Sequence, residues 1–350
     1  MTREKTRKIK LGGLYVGGDA PVSVQSMCTV KTSNVTAVLA QILELAQAGC
    51  EIVRLAVPDE ASAKALPAIR AGTSLPLVAD VHFDYRLAIA AMEAGFDAVR
   101  INPGNIGSRD KVKLVARACL ANGTAIRVGV NGGSLERGLL EEFGSLPEVL
   151  AESALRQIEL LESFGLRDIC ASVKCSNAPD TVAAYRRLAE RTDCPLHLGL
   201  TEAGGAYMGT IKSSAAIGAL LLDGIGSTIR VSLTADPVEE VRAGLALLKA
   251  VGLRREGVEL ISCPTCGRTG IDLIAAARSV EQLLRDVKTP LTVAVMGCAV
   301  NGPGEARHAD FGLAGGAGEG VLFRRGEIVG KAPEEELVGA LVELIHREIQ

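Results

Sequence analysis

A strand-then-helix alternation, repeated along most of the chain, constrains this sequence more than any other feature. Short β-branched runs bounded by Gly, Asp or Pro occur at Val22–Ser26, Glu51–Val57, Leu77–His82, Ala98–Asn102, Ala125–Val130, Asp168–Lys174, Leu196–Thr201 and Thr228–Leu233. Helical periodicity fills the intervals, as over Asn34–Ala48, Arg86–Ala94, Pro147–Phe164 and Pro237–Val251. Eight such units in about the length of one barrel predict an α/β chain built on a (β/α)8 TIM barrel. A doubly wound parallel sheet is the competing arrangement.

After Val251 the rhythm changes. The C-terminal part of the chain holds the densest cysteine grouping, a Gly-rich stretch and an acidic helical stretch over Pro333–Gln350. The expected division is therefore residues 1–252 as a substrate-binding barrel and 253–350 as a small α/β domain, with the boundary near Gly252–Gly257. The segment GLAGGAGEG (Gly312–Gly320) reads as a surface hairpin loop, because no helix with a dinucleotide fingerprint comes after it. No run of about 18 apolar residues is present, so no membrane span is expected. The basic start MTREKTRKIKLGG lacks the apolar stretch of a secretory signal. With nine cysteines, an odd number, reduced thiols in the cytoplasm are expected. Aromatics at 3%, no tryptophan and a net charge of −3 argue against nucleic acid as a partner.

Chemistry in such a barrel sits where strands end and βα loops begin. Those positions carry Arg54, His82, Arg100, Asn102, Arg127, Asn131, Lys174, Glu202, Arg230 and Ser232. Five cations from five strands would meet at one mouth, and burying that much like charge is costly without compensation. Asp80 and Glu202 are too few to compensate. A multiply anionic small molecule is implied, and a diphosphate fits best. The alternative for each arginine is a structural ion pair near a strand end. Glu202 is the candidate acid/base.

The later segment contains ISCPTCGRTGIDL and VMGCAVNGPGEA. Cys263 and Cys266 form a CxxC pair, Cys298 is a third thiol, and Glu305 lies beyond it in a Gly/Pro-rich stretch. The amphipathic stretch Ile271–Val287 offers a nearby helix whose N-terminal amides favour negative charge. Zinc is the competing ion, but a ribbon would normally supply a second CxxC pair. Three thiolates plus a weaker oxygen donor suit a 4Fe–4S cluster with one exchangeable iron, Glu305 or else His308 being the fourth ligand. Flavin and nicotinamide fingerprints are absent, so electrons are expected from another protein. The remaining reading, from another class, is a non-redox barrel with a zinc-stapled tail that binds a pterin or phosphosugar.

The words VQSM, IVRLAVP, LVADVHFDYR, RINPGNIG, RVGVNGGSLE, LHLGLTEAGGA, RVSLTADPVEEV, CPTCGR and GCAVNGPGEA stand in this order between Val16 and Phe311. Together they closely resemble the family of 4-hydroxy-3-methylbut-2-enyl diphosphate synthases. The resemblance implies a barrel followed by a reductase-like cluster domain, with one 4Fe–4S cluster per chain on Cys263, Cys266, Cys298 and Glu305. It implies reductive opening of 2-C-methyl-D-erythritol 2,4-cyclodiphosphate, with ferredoxin or flavodoxin as donor. Substrate contacts carry over to Arg54, Arg100, Arg127, Asn131, Lys174, Glu202, Arg230, Ser232 and Asn301. Cys28, after VQSM, and the segment after Gly316 depart from the commonest pattern. A head-to-tail homodimer is expected too, because the helix after the last barrel strand, Pro237–Val251, carries the chain about 20 Å back from the mouth. A monomer folding its tail over its own barrel is the competing arrangement.

Overall fold

Buried β-branched strands and capped amphipathic helices close the first part of the chain into a parallel barrel. The computed structural model describes residues 2–135, 139–298, 304 and 306–349. A short hairpin of β1 (Ile9–Leu11) and β2 (Leu14–Val16) comes first. The barrel strands are β3 (Ser23–Met27), β4 (Ile52–Ala56), β5 (Leu77–Asp80), β6 (Ala98–Ile101), β7 (Ala125–Asn131), β8 (Ile169–Lys174), β9 (His197–Leu198) and β10 (Thr228–Ile229). They pair in the order β8-β7-β6-β5-β4-β3-β10-β9. A single bridge between Ala171 and Leu196 joins β8 to β9 and completes the ring. The barrel expectation is met.

Helices α1 (Val35–Gln47), α2 (Glu60–Ala71), α3 (Tyr85–Glu93), α4 (Pro103–Ile106), α5 (Arg109–Asn122), α6 (Leu139–Phe143), α7 (Leu146–Glu162), α8 (Ala178–Arg191), α9 (Ala206–Leu222) and α10 (Pro237–Ala250) fill the intervals. Their starts are written in the sequence. Asn34, Asp59, Asn177 and Asp236 each accept a hydrogen bond from a first-turn amide of α1, α2, α8 and α10. At the N-terminal end of the barrel the hairpin residues Ile9, Leu11 and Val16 pack on Ile52, Val78, Ala98, Ala125 and Cys170. That end is plugged, which leaves the C-terminal mouth for a ligand.

Strands β9 and β10 are shorter than Leu196–Thr201 and Thr228–Leu233 suggest. Beyond Leu198 the space beside the backbone is already taken. A Cβ on Gly199 would stand 2.4 Å from Lys174 Nζ and 2.9 Å from the Arg230 carbonyl. Glycine there lets a buried lysine lie against the main chain.

The chain divides into two compact units, Met1–Leu253 and Arg254–Gln350. In the second, β11 (Val258–Ser262), β12 (Leu291–Met296) and β13 (Phe311–Ala314) run parallel, and β14 (Glu319–Arg324) and β15 (Glu327–Pro333) continue antiparallel. Helix α11 (Leu273–Leu283) and the C-terminal helix Glu334–Ile349 supply Leu273, Val280, Leu337, Leu341 and Ile345 to a core with Val293, Val295 and Leu313. The Gly-rich stretch is a hairpin loop only in its middle: residues 315–318 connect β13 to β14, while Gly312–Ala314 and Glu319–Gly320 belong to the strands themselves. No described helix is long and apolar enough to cross a membrane.

Candidate functional site

Parallel register sets the cationic side chains side by side. Arg100 on β6 is aligned with Asp80 on β5 and Arg127 on β7, and Arg54 on β4 is aligned with Met27 on β3. Arg100 donates to Asp80 Oδ1 at 3.1 Å and to the Gly129 carbonyl at 3.2 Å. Gly129 is required here, since a Cβ would fall 2.4 Å from Arg100 Nε. Arg54 Nε lies 3.6 Å from the other Asp80 oxygen, and His82 Nε2 lies 3.6 Å from Oδ1. One carboxylate thus serves two guanidinium groups and a histidine. Burial pushes the Asp80 carboxyl up, but Arg54, His82, Arg100 and Arg127 together hold it below the ordinary range.

Arg127 donates to Gln25 Oε1 at 2.8 Å and has no carboxylate partner among the described residues, and its Nε finds no acceptor. Burial, with Arg100 beside it, brings its pKa down to about 10. Lys174 is also buried without an ion pair among the described residues; burial and then Arg127, Arg54, Arg230 and Arg100 push its ammonium well below the lysine range. For the arginines a lowered value measures electrostatic cost, because guanidinium stays protonated in proteins. For lysine it is a real change of protonation.

Arg230 differs from the expectation of an uncompensated cation. Its Nε and Nη2 hold Glu240 at 3.1–3.2 Å, and Glu240 also accepts from Ser26 Oγ and the Leu233 amide. Sequence reading missed Glu240 because PVEEV resembles a solvated first turn. Helical phase exposes the error: Glu240 shares the buried stripe of α10 with Val241, Gly244, Leu247 and Leu248. Glu240→Ala is expected to cost about 3–5 kcal/mol, because it strands a buried guanidinium. Chemical denaturation of the variant checks this, with a loss under about 1 kcal/mol ruling out the pair's structural weight.

A cavity of about 380 Å³ opens at the mouth, lined by His82, Arg100, Asn102, Asn131, Cys175 and Glu202 among others. Asn131 accepts from Arg100 Nη2 at 3.2 Å once its amide faces Val130. Buried Asn102 accepts from Gln157 at 3.3 Å. Glu202 is exposed and has φ of 55°, a left-handed conformation costly for a side chain other than glycine. Arg54, Arg127, Lys174, Arg230 and Ser232 do not line this cavity. Arg127 instead reaches toward the barrel interior beside His197. Six cysteines (Cys28, Cys50, Cys119, Cys170, Cys175 and Cys194) are buried. Burial pushes the Cys28 thiol up to about 12.

In the second unit Cys263 comes directly after β11, and Cys298 lies two residues beyond the parallel neighbour β12. The Gly297 amide donates to Cys263 Sγ at 3.2 Å. Exposed Cys266 has its pKa lowered by the backbone amide and side chain of Arg268. Helix α11 gives less than expected, because Asp272 caps it and accepts from the Ala275 amide. The amides directed at these sulfurs are those of Gly297, toward Cys263, and Arg268, toward Cys266. Around one tetrahedral zinc, sulfurs lie about 3.8 Å apart. Cys263, Cys266 and Cys298 do not all lie within 4.8 Å of one another; among the described residues only Glu162, Asp193 and Cys194 do, and Arg7 pairs with both carboxylates there. Glu305 and Asn301 lie outside the described residues.

Residues 6–245 match the protein-family model described as the GcpE TIM-barrel domain, and residues 259–347 match the GcpE protein C-terminal domain. A 4-hydroxy-3-methylbut-2-en-1-yl diphosphate synthase (flavodoxin) from Geobacter sulfurreducens is 56% identical over 341 residues, covering 97% of each chain. The protein of that name from Clostridium perfringens is 54% identical over 346 residues, covering 99% of each. Among solved structures, dihydropteroate synthase from Stenotrophomonas maltophilia superposes with a TM-score of 0.52 at 15% identity, over 70% of this chain and 97% of that one. That likeness is one of fold alone.

Proposed function

Since the chain belongs to the GcpE family, we propose that it is an iron–sulfur oxidoreductase that opens 2-C-methyl-D-erythritol 2,4-cyclodiphosphate reductively to 4-hydroxy-3-methylbut-2-enyl diphosphate. The observation that supports this reading is the cationic barrel interior beneath the mouth, in which Arg127 and Lys174 lie buried without a carboxylate partner among the described residues. A diphosphate supplies the missing negative charge. Arg54, Arg100, Arg127, Lys174 and Arg230 bind and orient it, with His82, Asn102, Asn131, Ser232 and Asn301 as polar contacts. Glu202, held at the cavity rim, moves the proton that lets a hydroxyl leave as water.

Cys263, Cys266 and Cys298, with Glu305, would hold one 4Fe–4S cluster per chain. When bound, the cluster supplies two electrons, one at a time, to break the C–O bond. Flavodoxin, named for the relatives, is the proposed donor. We further propose a head-to-tail homodimer in which the cysteines of one chain serve the barrel of its partner, in keeping with α10 leading away from the mouth. Anaerobically purified protein is expected to be brown, with iron and sulfide near about four each per chain. With reduced flavodoxin it should turn over the cyclic diphosphate. A colourless protein with one zinc per chain and no turnover would overturn the reading.

A further inference from the structure

Strand β3 is the part of the VQSM word whose chemistry remains unassigned. Its neighbours in the barrel are β4 and β10, so its last residue, Met27, stands between Arg54 and Arg230. The thioether takes contacts from both. Arg54 Nε and Nη2 lie 3.1 and 3.0 Å from Met27 Sδ, and Arg230 Nη1 lies 3.6 Å from it. The nitrogens that reach the sulfur make no closer contact elsewhere among the described residues, although Arg54 Nε is also the atom nearest Asp80. On Arg230, Glu240 holds Nε and Nη2 and leaves Nη1 to Met27; on Arg54, Asp80 comes no closer than 3.6 Å. Two residues earlier on the strand, Gln25 accepts from Arg127 at 2.8 Å. β3 is thus the strand that offers neutral acceptors to the buried cations of the barrel.

We propose that Met27 is a positioning residue, a weak placeholder that aims the free N–H groups of Arg54 and Arg230 and yields them to the ligand's diphosphate. The proposal rests on the reading of the mouth as an anion site and says how that site stays ready without closing on itself. A thioether sulfur is a weak acceptor. A guanidinium–phosphate bond joins opposite charges through a strong oxygen acceptor, whereas the thioether is neutral, so the ligand displaces the sulfur at little loss. A carboxylate in the same place would hold both guanidinium groups as Glu240 holds Arg230. An aliphatic side chain would leave them unaimed. Met27 therefore has to be an acceptor, and a poor one.

The test measures the affinity of the full chain for inorganic diphosphate by calorimetry, together with steady-state KM and kcat for the cyclic diphosphate. Met27→Leu keeps the volume and removes the acceptor. Met27→Gln replaces it with a strong neutral acceptor that competes with phosphate. Met27→Leu is expected to weaken diphosphate binding and raise KM by about threefold or more, and Met27→Gln by about tenfold or more, from the ordinary worth of the bonds involved. For both, kcat should stay within about twofold, because no reacting atom is touched. If Met27→Leu binds diphosphate less than about threefold more weakly than the parent chain, or loses kcat with KM unchanged, the proposal is overturned. That variant decides even if Met27→Gln fails to fold. Arg54→Ala, run in parallel, separates the two levels. Unchanged binding in Arg54→Ala removes the anion site itself; weakened binding there with Met27→Leu unaffected removes only the placeholder.

Discussion

Cys298→Ser is expected to abolish both the brown chromophore and turnover, with iron and sulfide falling from about four each per chain toward zero. Serine keeps the shape but not the chemistry, since its hydroxyl does not ionise near neutral pH and cannot replace a thiolate on iron. Cys298 lies just beyond the end of β12, next to the Gly297 amide that already donates to Cys263 Sγ. Removing one sulfur therefore leaves the other two held but short of a ligand. Cys263→Ser and Cys266→Ser should behave alike, and Cys266→Ser also gives up the thiol that Arg268 activates. Circular dichroism should show barrel content unchanged, because all three residues belong to the second compact unit. An unaltered visible spectrum in any of the three variants would sink the assignment.

Arg127→Ala should weaken binding of the cyclic diphosphate by about ten- to a hundredfold, the worth of a hydrogen bond to a charged group, without changing the cluster spectrum. The same substitution should leave the ligand-free fold as stable as before or more so, because it removes a buried charge that is hydrogen-bonded to neutral Gln25 and offset by Asp80 only from a distance. A loss of binding with a gain in stability separates a ligand-directed cation from a structural one. Lys174 adds a pH signature. In the ligand-free protein burial and four arginines hold its pKa low, and a bound diphosphate raises it. Between those two values binding takes up a proton, so affinity falls as pH rises through that window. Binding enthalpies in buffers of different ionisation heat report the uptake. Binding that is equally tight across that window, with no buffer dependence, would place the anion away from Lys174. Mixing Arg127→Ala with Cys298→Ser, assayed at a substrate concentration too low for Arg127→Ala to turn over appreciably, should restore part of the activity if one site draws on two chains. No recovery despite proven subunit exchange would place the whole site within one chain.

The barrel was legible because its strands are continuous β-branched runs and its helices carry their caps as Asn and Asp. Position along a barrel strand suggests which end a side chain serves, yet of the five cations only Arg100 lines the mouth cavity, while Arg54, Arg127, Lys174 and Arg230 do not. Partnership is what such a reading lacks. Glu239 and Glu240 are adjacent and chemically identical, yet the first is exposed on the helix flank and the second is inside, bonded to Arg230. Only helical phase separates them. Gln25 and Met27 look like ordinary strand residues, and their role depends on which strands flank β3, which needs the closed ring. In the second unit the CxxC pair was plain, but the Gly297 amide that supports Cys263 lies 34 residues away along the chain.

Closure of that ring has a consequence for synthesis. β3, the first barrel strand, pairs with β4 on one side and with β10 on the other, and the β1–β2 hairpin seats on residues as late as Cys170. A ribosome therefore releases one edge of the barrel, and its plug, long before their partners exist. Contacts so distant in sequence make folding slow. Until Cys170 emerges the apolar hairpin is unseated, and until Thr228 emerges the nascent chain carries an open parallel edge, the surfaces on which a chaperone would be expected to act.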